Sequence, residues 1–400
     1  MADQTKIEWT DATWNPITGC SIVSPGCTNC YAMALAGTRL KNHESRKGLT
    51  KQVNGKHVWT GEVRFNAQWL DQPLRWSKPR MIFVCAHGDL FSEGVPDEWL
   101  DQIFAVMALA PQHTFQVLTK RPERMREYVK TLPARSGAVG KWAAWHWGAQ
   151  DPDLLYDQVA YAVFSSLPNV WLGVSVEDQR RADERIPILL DTPAAIRWVS
   201  AEPLLGPVDL NNICYRDNDC EIRYGALMGE AWIDNSSSAS AYDDGLPALD
   251  WVVAGGESGP HARPMHPDWA RGLRDQCAAA GVPFLFKQWG EWTEACSEYR
   301  EADGKHVEVD PDSEEGEALY NHATDRLIAI DGRLFTPETL PNDTPARLVE
   351  RVGKRRAGRM LDGIEHNAFP EIRRATPLQA DRPSRDVPRP VRSDSVRTEE

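Results

Sequence analysis

The chain has 400 residues, of which 42% are hydrophobic and 26% charged, enough for one large globular unit of barrel size with appendages. Its formal net charge of −13 argues against broad, sequence-independent binding to duplex DNA, which needs a basic face. No apolar run approaches the length of a membrane span, so no membrane partner is expected. The N-terminus M-A-D-Q-T-K-I-E-W carries no apolar signal region, so a cytoplasmic, reducing setting is expected and disulfides are not.

The first chemical signal along the chain is W-N-P-I-T-G-C-S-I-V-S-P-G-C-T-N-C-Y-A, with cysteines at Cys20, Cys27 and Cys30. Three thiolates on one short loop can hold a metal. In a cubane with three cysteine ligands one iron stays open for a substrate or cofactor. Pro25-Gly26 turns the chain just before Cys27, and Tyr31 to Lys41 reads as a helix, so the site falls at a loop-to-helix junction. Structural zinc is an alternative. It usually wants four ligands in two short-spaced pairs, and here only Cys27-x-x-Cys30 is such a pair, with His43 or His57 as a possible fourth donor. On residues alone an iron–sulfur site, a zinc site and no metal all stay open.

Residues 42–62 are polar with scattered Lys and Gly and read as a loop or lid. Strand and helix patterns then alternate. Met81 to Cys85 is an apolar run ending in Gly88-Asp89, and residues 97–110 show helical spacing through Trp99, Leu100, Ile103, Phe104, Met107 and Ala108. Thr114 to Leu118 ends in Thr119-Lys120-Arg121, and Pro122 opens the next helix. Residues 134–168 read as an extra helical insert. Val170 to Val174 ends in Ser175-Val176-Glu177 and leads to a helix over 179–190. Ile196 to Ser200 ends at Glu202, Trp251 to Ala254 ends in Gly255-Gly256-Glu257, and helix 267–280 leads to Pro283–Phe286, which ends in Lys287-Gln288.

Near-continuous apolar strands separated by helices predict an α/β chain with a complete or partial parallel β/α barrel; a doubly wound sheet is the rival. In such barrels the site lies at the carboxyl ends of the strands, where Asp89, Lys120, Arg121, Glu177, Glu202, Glu257 and Lys287 all fall. The barrel unit is expected over 1–370, interrupted by a flexible polar insert at 211–248 and followed by a disordered tail over 371–400. Cys85 and Cys277 read as buried thiols, and Cys214 and Cys220 as free thiols flanking a polar loop. The sixteen tryptophans read as packing residues rather than base-stacking platforms. Lys354, Arg355, Arg356 and Arg359 form a basic cluster, read either as a phosphate contact or as a solvated helix face.

The cysteine loop, the strand ends G-D-L-F, L-T-K-R-P, G-V-S-V-E, S-A-E-P-L-L-G, G-G-E-S-G and F-K-Q-W-G, and the late G-K-R-R-A-G-R-M-L-D-G together resemble the phage three-Cys-motif proteins, largely described as a domain of unknown function. The resemblance runs in order from about Trp9 to Pro370 and implies kinship with radical S-adenosylmethionine enzymes. It implies a [4Fe–4S] cluster on Cys20, Cys27 and Cys30, S-adenosylmethionine as cofactor, an external electron donor and a 5′-deoxyadenosyl radical. Asp89, Ser175, Glu177, Gly255 and Gly256 are then expected at the cofactor, and Lys120, Glu202, Glu257 and Lys287 on the substrate side. The phage association makes a nucleotide or nucleic acid the expected substrate, with a partner protein possible. The loop departs from the commonest radical-enzyme spacing C-x-x-x-C-x-x-C: six residues separate Cys20 from Cys27, and Asn29 rather than an aromatic residue precedes Cys30. Two other classes remain: a zinc-stabilised module that binds a nucleotide or protein without catalysis, and a hydrolase whose strand-end carboxylates hold a divalent metal.

Overall fold

The computed structural model describes residues 5, 7–147, 151–165, 167–214, 222–233, 240–244, 246–295, 298–300, 306–308, 326–336, 339–341 and 344–371. Seven parallel strands stand side by side in chain order: β1 (Ala12–Trp14), β2 (Met81–Val84), β3 (Thr114–Thr119), β4 (Val170–Ser175), β5 (Ile196–Ala201), β6 (Trp251–Gly255) and β7 (Phe284–Gln288). Each crossover moves one strand further in the same direction, so the sheet is singly wound and curls into an open half-barrel rather than a doubly wound layer. The register is regular, for example Phe115↔Val170, Trp171↔Ile196 and Trp198↔Trp251, and slips once, between Ala254 and Gly255 at the site edge of β6.

Alternation within each strand separates two apolar faces. Leu172, Val199, Val252 and Phe284 join the larger core beneath the helices. Trp171, Trp198, Trp251 and Leu285 face the concave side, where they meet Trp9 from the N-terminal segment. Ring centroids lie 5.2 Å apart for Trp9–Trp198 and 5.3 Å for Trp198–Trp251. All four indoles are at most 2% exposed, so they plug the half-barrel and offer no face to a base. Each such ring contributes roughly 4–6 kcal/mol of burial before entropy is counted. Gly173 makes room for them: a Cβ there would stand 2.5 Å from the Trp198 ring.

The helices follow the expected spacing. They are α1 (Tyr31–Gly37), α2 (Asp97–Leu109), α3 (Pro122–Trp147), α4 (Pro152–Phe164), α5 (Gln179–Leu190) and α6 (Pro267–Ala280). Helix α5 starts where Asp178 accepts from the Arg181 N–H, and α6 stops at Gly281, whose φ of +69° few other residues adopt.

Five expectations need correction. The helix after Cys30 ends at Gly37 rather than continuing to Lys41. The 42–62 segment is no simple loop, because Thr50–Val53 pairs with Lys56–Trp59 in a hairpin packed behind α1. The 211–248 insert contains a four-stranded antiparallel sheet, which replaces a crossover helix between β5 and β6. Cys214, on its first strand, is disulfide-bonded rather than a free thiol; Cys220 lies outside the described residues. The helical insert is a hairpin of α3 and α4, and α3 begins well before 134. Cys277 is buried in α6, while buried Cys85 sits just past β2 at φ +59°.

After β7 the chain forms a second antiparallel sheet, which the sequence patterns missed. Its strands stand in the order Trp292–Glu294, Ala346–Arg351, Arg326–Ala329 and Leu334–Phe335. The closing segment then runs back along the open edge of β7. Phe286 N–H donates to the His366 carbonyl at 3.0 Å and Ala368 N–H to the Phe284 carbonyl at 3.2 Å, so this edge is covered. The expected disordered tail lies, from 372 onward, outside the described residues.

Candidate functional site

The crossover from β1 to β2 lays the cysteine loop across the carboxyl edge of the sheet, and its contacts reach the ends of β2, β3, β4 and β6. Pro25–Cys27 forms one turn of 3-10 helix, and Cys30 is the residue before α1. The three cysteines are half-buried free thiols. Cys20 and Cys30 pack against Ala32, Met33, Leu49 and Trp59. Burial pushes the Cys20 thiol up to about 12, with the Asp89 charge adding and Arg121 opposing. Burial raises Cys30 as well, opposed by the backbone N–H groups of Met33 and Ala32 and by Lys120. Burial therefore outweighs the nearby cation and backbone donors at Cys20 and Cys30 and favours their protonated forms in the absence of a metal.

At the end of β3, Arg121 ties the loop to β2. Its Nη1 donates to Asp89 Oδ2 at 3.0 Å and to Cys20 Sγ at 3.5 Å; its Nε donates to Glu93 at 2.9 Å and Nη2 to the Ser21 carbonyl at 3.2 Å. Asp89 is fully engaged. Its oxygens accept from Phe91 N–H (3.0 Å), Thr119 Oγ1 (2.7 Å), Lys120 N–H (3.1 Å) and Arg121. It therefore holds Arg121 in place.

At the end of β4, Glu177 is fully buried beneath the loop. It accepts from Ser24 Oγ and from Arg185 Nη1 (2.9 Å), and Lys120 Nζ lies 3.8 Å away. A Cβ on Gly26 would stand 2.3 Å from Glu177 Oε1, so glycine is what lets the loop lie on this carboxylate. Ser175, also buried, gives its carbonyl to Arg185 at 2.6 Å.

At the end of β6, Glu257 receives Arg263 Nη2 at 2.7 Å, Arg263 Nε at 2.9 Å and Asn29 Nδ2 at 3.0 Å. Arg263 also donates to the Pro25 carbonyl at 3.0 Å. Burial alone would raise Glu257, yet the bonds from Arg263 and Asn29 hold it below the usual carboxylate range. The adjacent glycines serve the fold: a Cβ on Gly256 would stand 1.9 Å from the Trp289 carbonyl, and one on Gly255 3.2 Å from that of Gln288. Both permit the close approach to β7 and the segment after it.

The fourth unit spans β5 and β7. Lys287 Nζ lies 2.7 and 2.8 Å from the two oxygens of Glu202, and Gln288 bridges Glu202 (3.3 Å) and Ser258 (2.9 Å). Tyr31 leaves the loop toward this side and donates to the Ala86 carbonyl at 2.5 Å. Glu202 and Lys287 remain 18% and 15% exposed at the side chain, and Glu202 is the most accessible of the four strand-end carboxylates.

The sequence-derived residues therefore converge on one edge, and each strand-end carboxylate already has its own cation: Asp89–Arg121, Glu177–Arg185, Glu202–Lys287 and Glu257–Arg263. Among the described residues no three His, Cys, Asp or Glu side chains converge tightly enough to hold a single metal ion. An iron–sulfur cluster makes a different demand, since its thiolates attach to separate irons, and three thiols on one loop fit that demand.

A family model described as "Protein of unknown function (DUF5131)" matches residues 4–370. The chain belongs to the DUF5131 family. No curated protein and no solved structure matches it. In this DUF5131 chain, Arg263, Arg185, Asn29 and Ser24 complete the site but were not singled out from the sequence as site residues. Arg121 was legible, because it directly follows Lys120 at a strand end. Arg263 had none: it reaches Pro25 across 238 positions of sequence.

Proposed function

We propose that this chain is a radical S-adenosylmethionine enzyme of the cytoplasm that modifies a nucleotide or nucleic acid. Cys20, Cys27 and Cys30 would hold a [4Fe–4S] cluster, with an external electron donor and, where needed, a partner protein. When bound, cluster and cofactor supply reductive cleavage of the sulfonium bond and a radical able to abstract hydrogen. The protein's part is positional. Arg121 directs a cation at the Cys20 sulfur, Glu177 and Ser24 seat the turn before Cys27, and Asn29 with Arg263 clamps the turn on its other side. Glu202, the most accessible of the strand-end carboxylates, and Lys287 are left to face a substrate.

The observation that carries this reading is the division of labour at the sheet edge. The carboxylates are each neutralised by a cation, which leaves the three thiols as the free metal-binding donors of the edge. That argues against a hydrolase built on strand-end carboxylates. The test is anaerobic reconstitution with iron and sulfide, then incubation with S-adenosylmethionine and a reductant. Three or four irons with matching sulfide, and release of 5′-deoxyadenosine, are expected. A colourless protein with one zinc and no iron would instead make it a zinc-stabilised binding module.

A further inference from the structure

The closing segment returns to the site edge before it covers β7. Lys354–Ala357 forms a single helical turn, α7, held at both ends. On one side the N–H groups of Val352 and Gly353 donate to the Glu291 carbonyl at 3.1 and 3.0 Å. On the other, Trp289 N–H donates to the Gly358 carbonyl at 3.2 Å and Trp289 Nε1 to the Met360 carbonyl at 2.7 Å. Trp289 and Glu291 lie within four residues of Lys287, so α7 is fastened to the segment that directly follows β7. Arg351 adds a strap, donating to the carbonyls of Pro260 (2.7 Å) and Gly259 (3.3 Å) on the loop that follows Glu257.

The turn carries cations without counter-charges. Lys354, Arg355 and Arg356 are exposed, and among the described residues none of them, nor Arg351, meets a carboxylate at ion-pair distance. This contrasts with the strand-end carboxylates, every one of which is paired, and with a chain whose net charge is −13. A fixed positive patch on an otherwise acidic surface concentrates anions at one place, and guanidinium groups favour phosphate oxygens.

We infer that Arg351, Lys354, Arg355 and Arg356 form a phosphate-binding rim of the site, taking phosphates of the substrate that the Glu202–Lys287 side receives. The inference rests on the proposed function for the nature of the substrate, and on the placement of α7 for the contact. In a strand the phosphates beside the reacting nucleotide would lie on the rim; in a free nucleotide its own phosphate would.

The test uses the full-length protein as isolated under anaerobic conditions, with iron and sulfide measured on the same sample. Binding of a fluorescent single-stranded oligonucleotide and of a fluorescent adenosine monophosphate is followed by anisotropy across a salt series. The double variant R355E/R356E should bind the oligonucleotide roughly tenfold or more weakly at low salt. Its log–log salt slope should fall by about 1.4, as expected for two lost contacts to a single strand. R126E/K130E, with the same charge change beside Asp191 at the far end of α5, should bind as the wild type. Weakening confined to the mononucleotide would still support the rim and assign it a free nucleotide. Equal binding by R355E/R356E and wild type, or no binding of either probe by the wild type, would overturn the rim. The iron and sulfide values stand apart from these outcomes: a wild type without iron loses the proposed function while the rim is judged on binding alone.

Discussion

One guanidinium nitrogen of Arg121, Nη1, lies 3.5 Å from the sulfur of Cys20. The same nitrogen is fixed 3.0 Å from Asp89, and the Arg121 and Asp89 side chains are only 7% and 8% exposed. Arg121→Met would strand a buried carboxylate, at a cost of roughly 3–5 kcal/mol. The double variant D89N/R121M should recover part of that loss in thermal unfolding, since no charge is left unpaired. If the double variant folds and binds iron, its cluster should be no harder to reduce than that of the wild type, because the Asp89 charge lost with Arg121 acts on Cys20 in the opposite sense and is the larger of the two.

The ligand assignment is tested thiol by thiol. Cys20→Ala, Cys27→Ala and Cys30→Ala should each abolish iron incorporation and the visible charge-transfer absorbance. Cys85→Ala and Cys277→Ala, at buried thiols outside the Cys20–Cys30 segment, should retain both. Full iron content in all three loop variants would falsify the assignment.

Gly26→Ala tests the seat of the loop. The new methyl would meet Glu177, which cannot withdraw because Arg185 and Ser24 hold it. Iron incorporation should drop sharply while unfolding costs only about 1–3 kcal/mol, the usual range for overpacking. Gly272→Ala is the contrast. It lies within α6 with nothing near its Cβ position, so alanine should raise stability by about 0.5–1 kcal/mol. Equal iron content in the two variants would count against the Glu177 contact.

Stability should rise from pH 5 to pH 7. Burial, and next the Arg46 guanidinium whose Nη2 lies 2.9 Å from its ring, pushes His87 down to about 4. An unfolded histidine titrates near 6.5. Between these values the unfolded chain binds a proton that the folded chain refuses, so stability falls as pH drops through that window. His113 and His266 are lowered in the same direction, chiefly by burial. Melting temperatures measured between pH 5 and 8 should climb and then level above about 7, and a decline over pH 5 to 7 would contradict the burial of these rings.

The β/α order was legible because a doubly buried strand is a local property. Runs such as Val170–Ser175 and Trp251–Gly255 have no polar face to expose, so they need cover on both sides, and helices between them supply it on one. The edge on which Asp89, Lys120, Glu177, Glu202, Glu257 and Lys287 gather follows from that order alone, since each lies just past, or within the last turn of, a parallel strand. The cysteine spacing was equally readable, because three thiols in eleven positions are near one another in any fold. The two antiparallel sheets were not, because their strands are short, half-exposed and stabilised by each other rather than by a run of their own. Which charge serves which role was decided only in three dimensions. Asp89 grips Arg121, Glu177 lies under Gly26, and Glu257 reaches Asn29 across 228 positions. Pairing energy depends on separation in space and on the water excluded between the partners, and neither quantity is written in the order of residues.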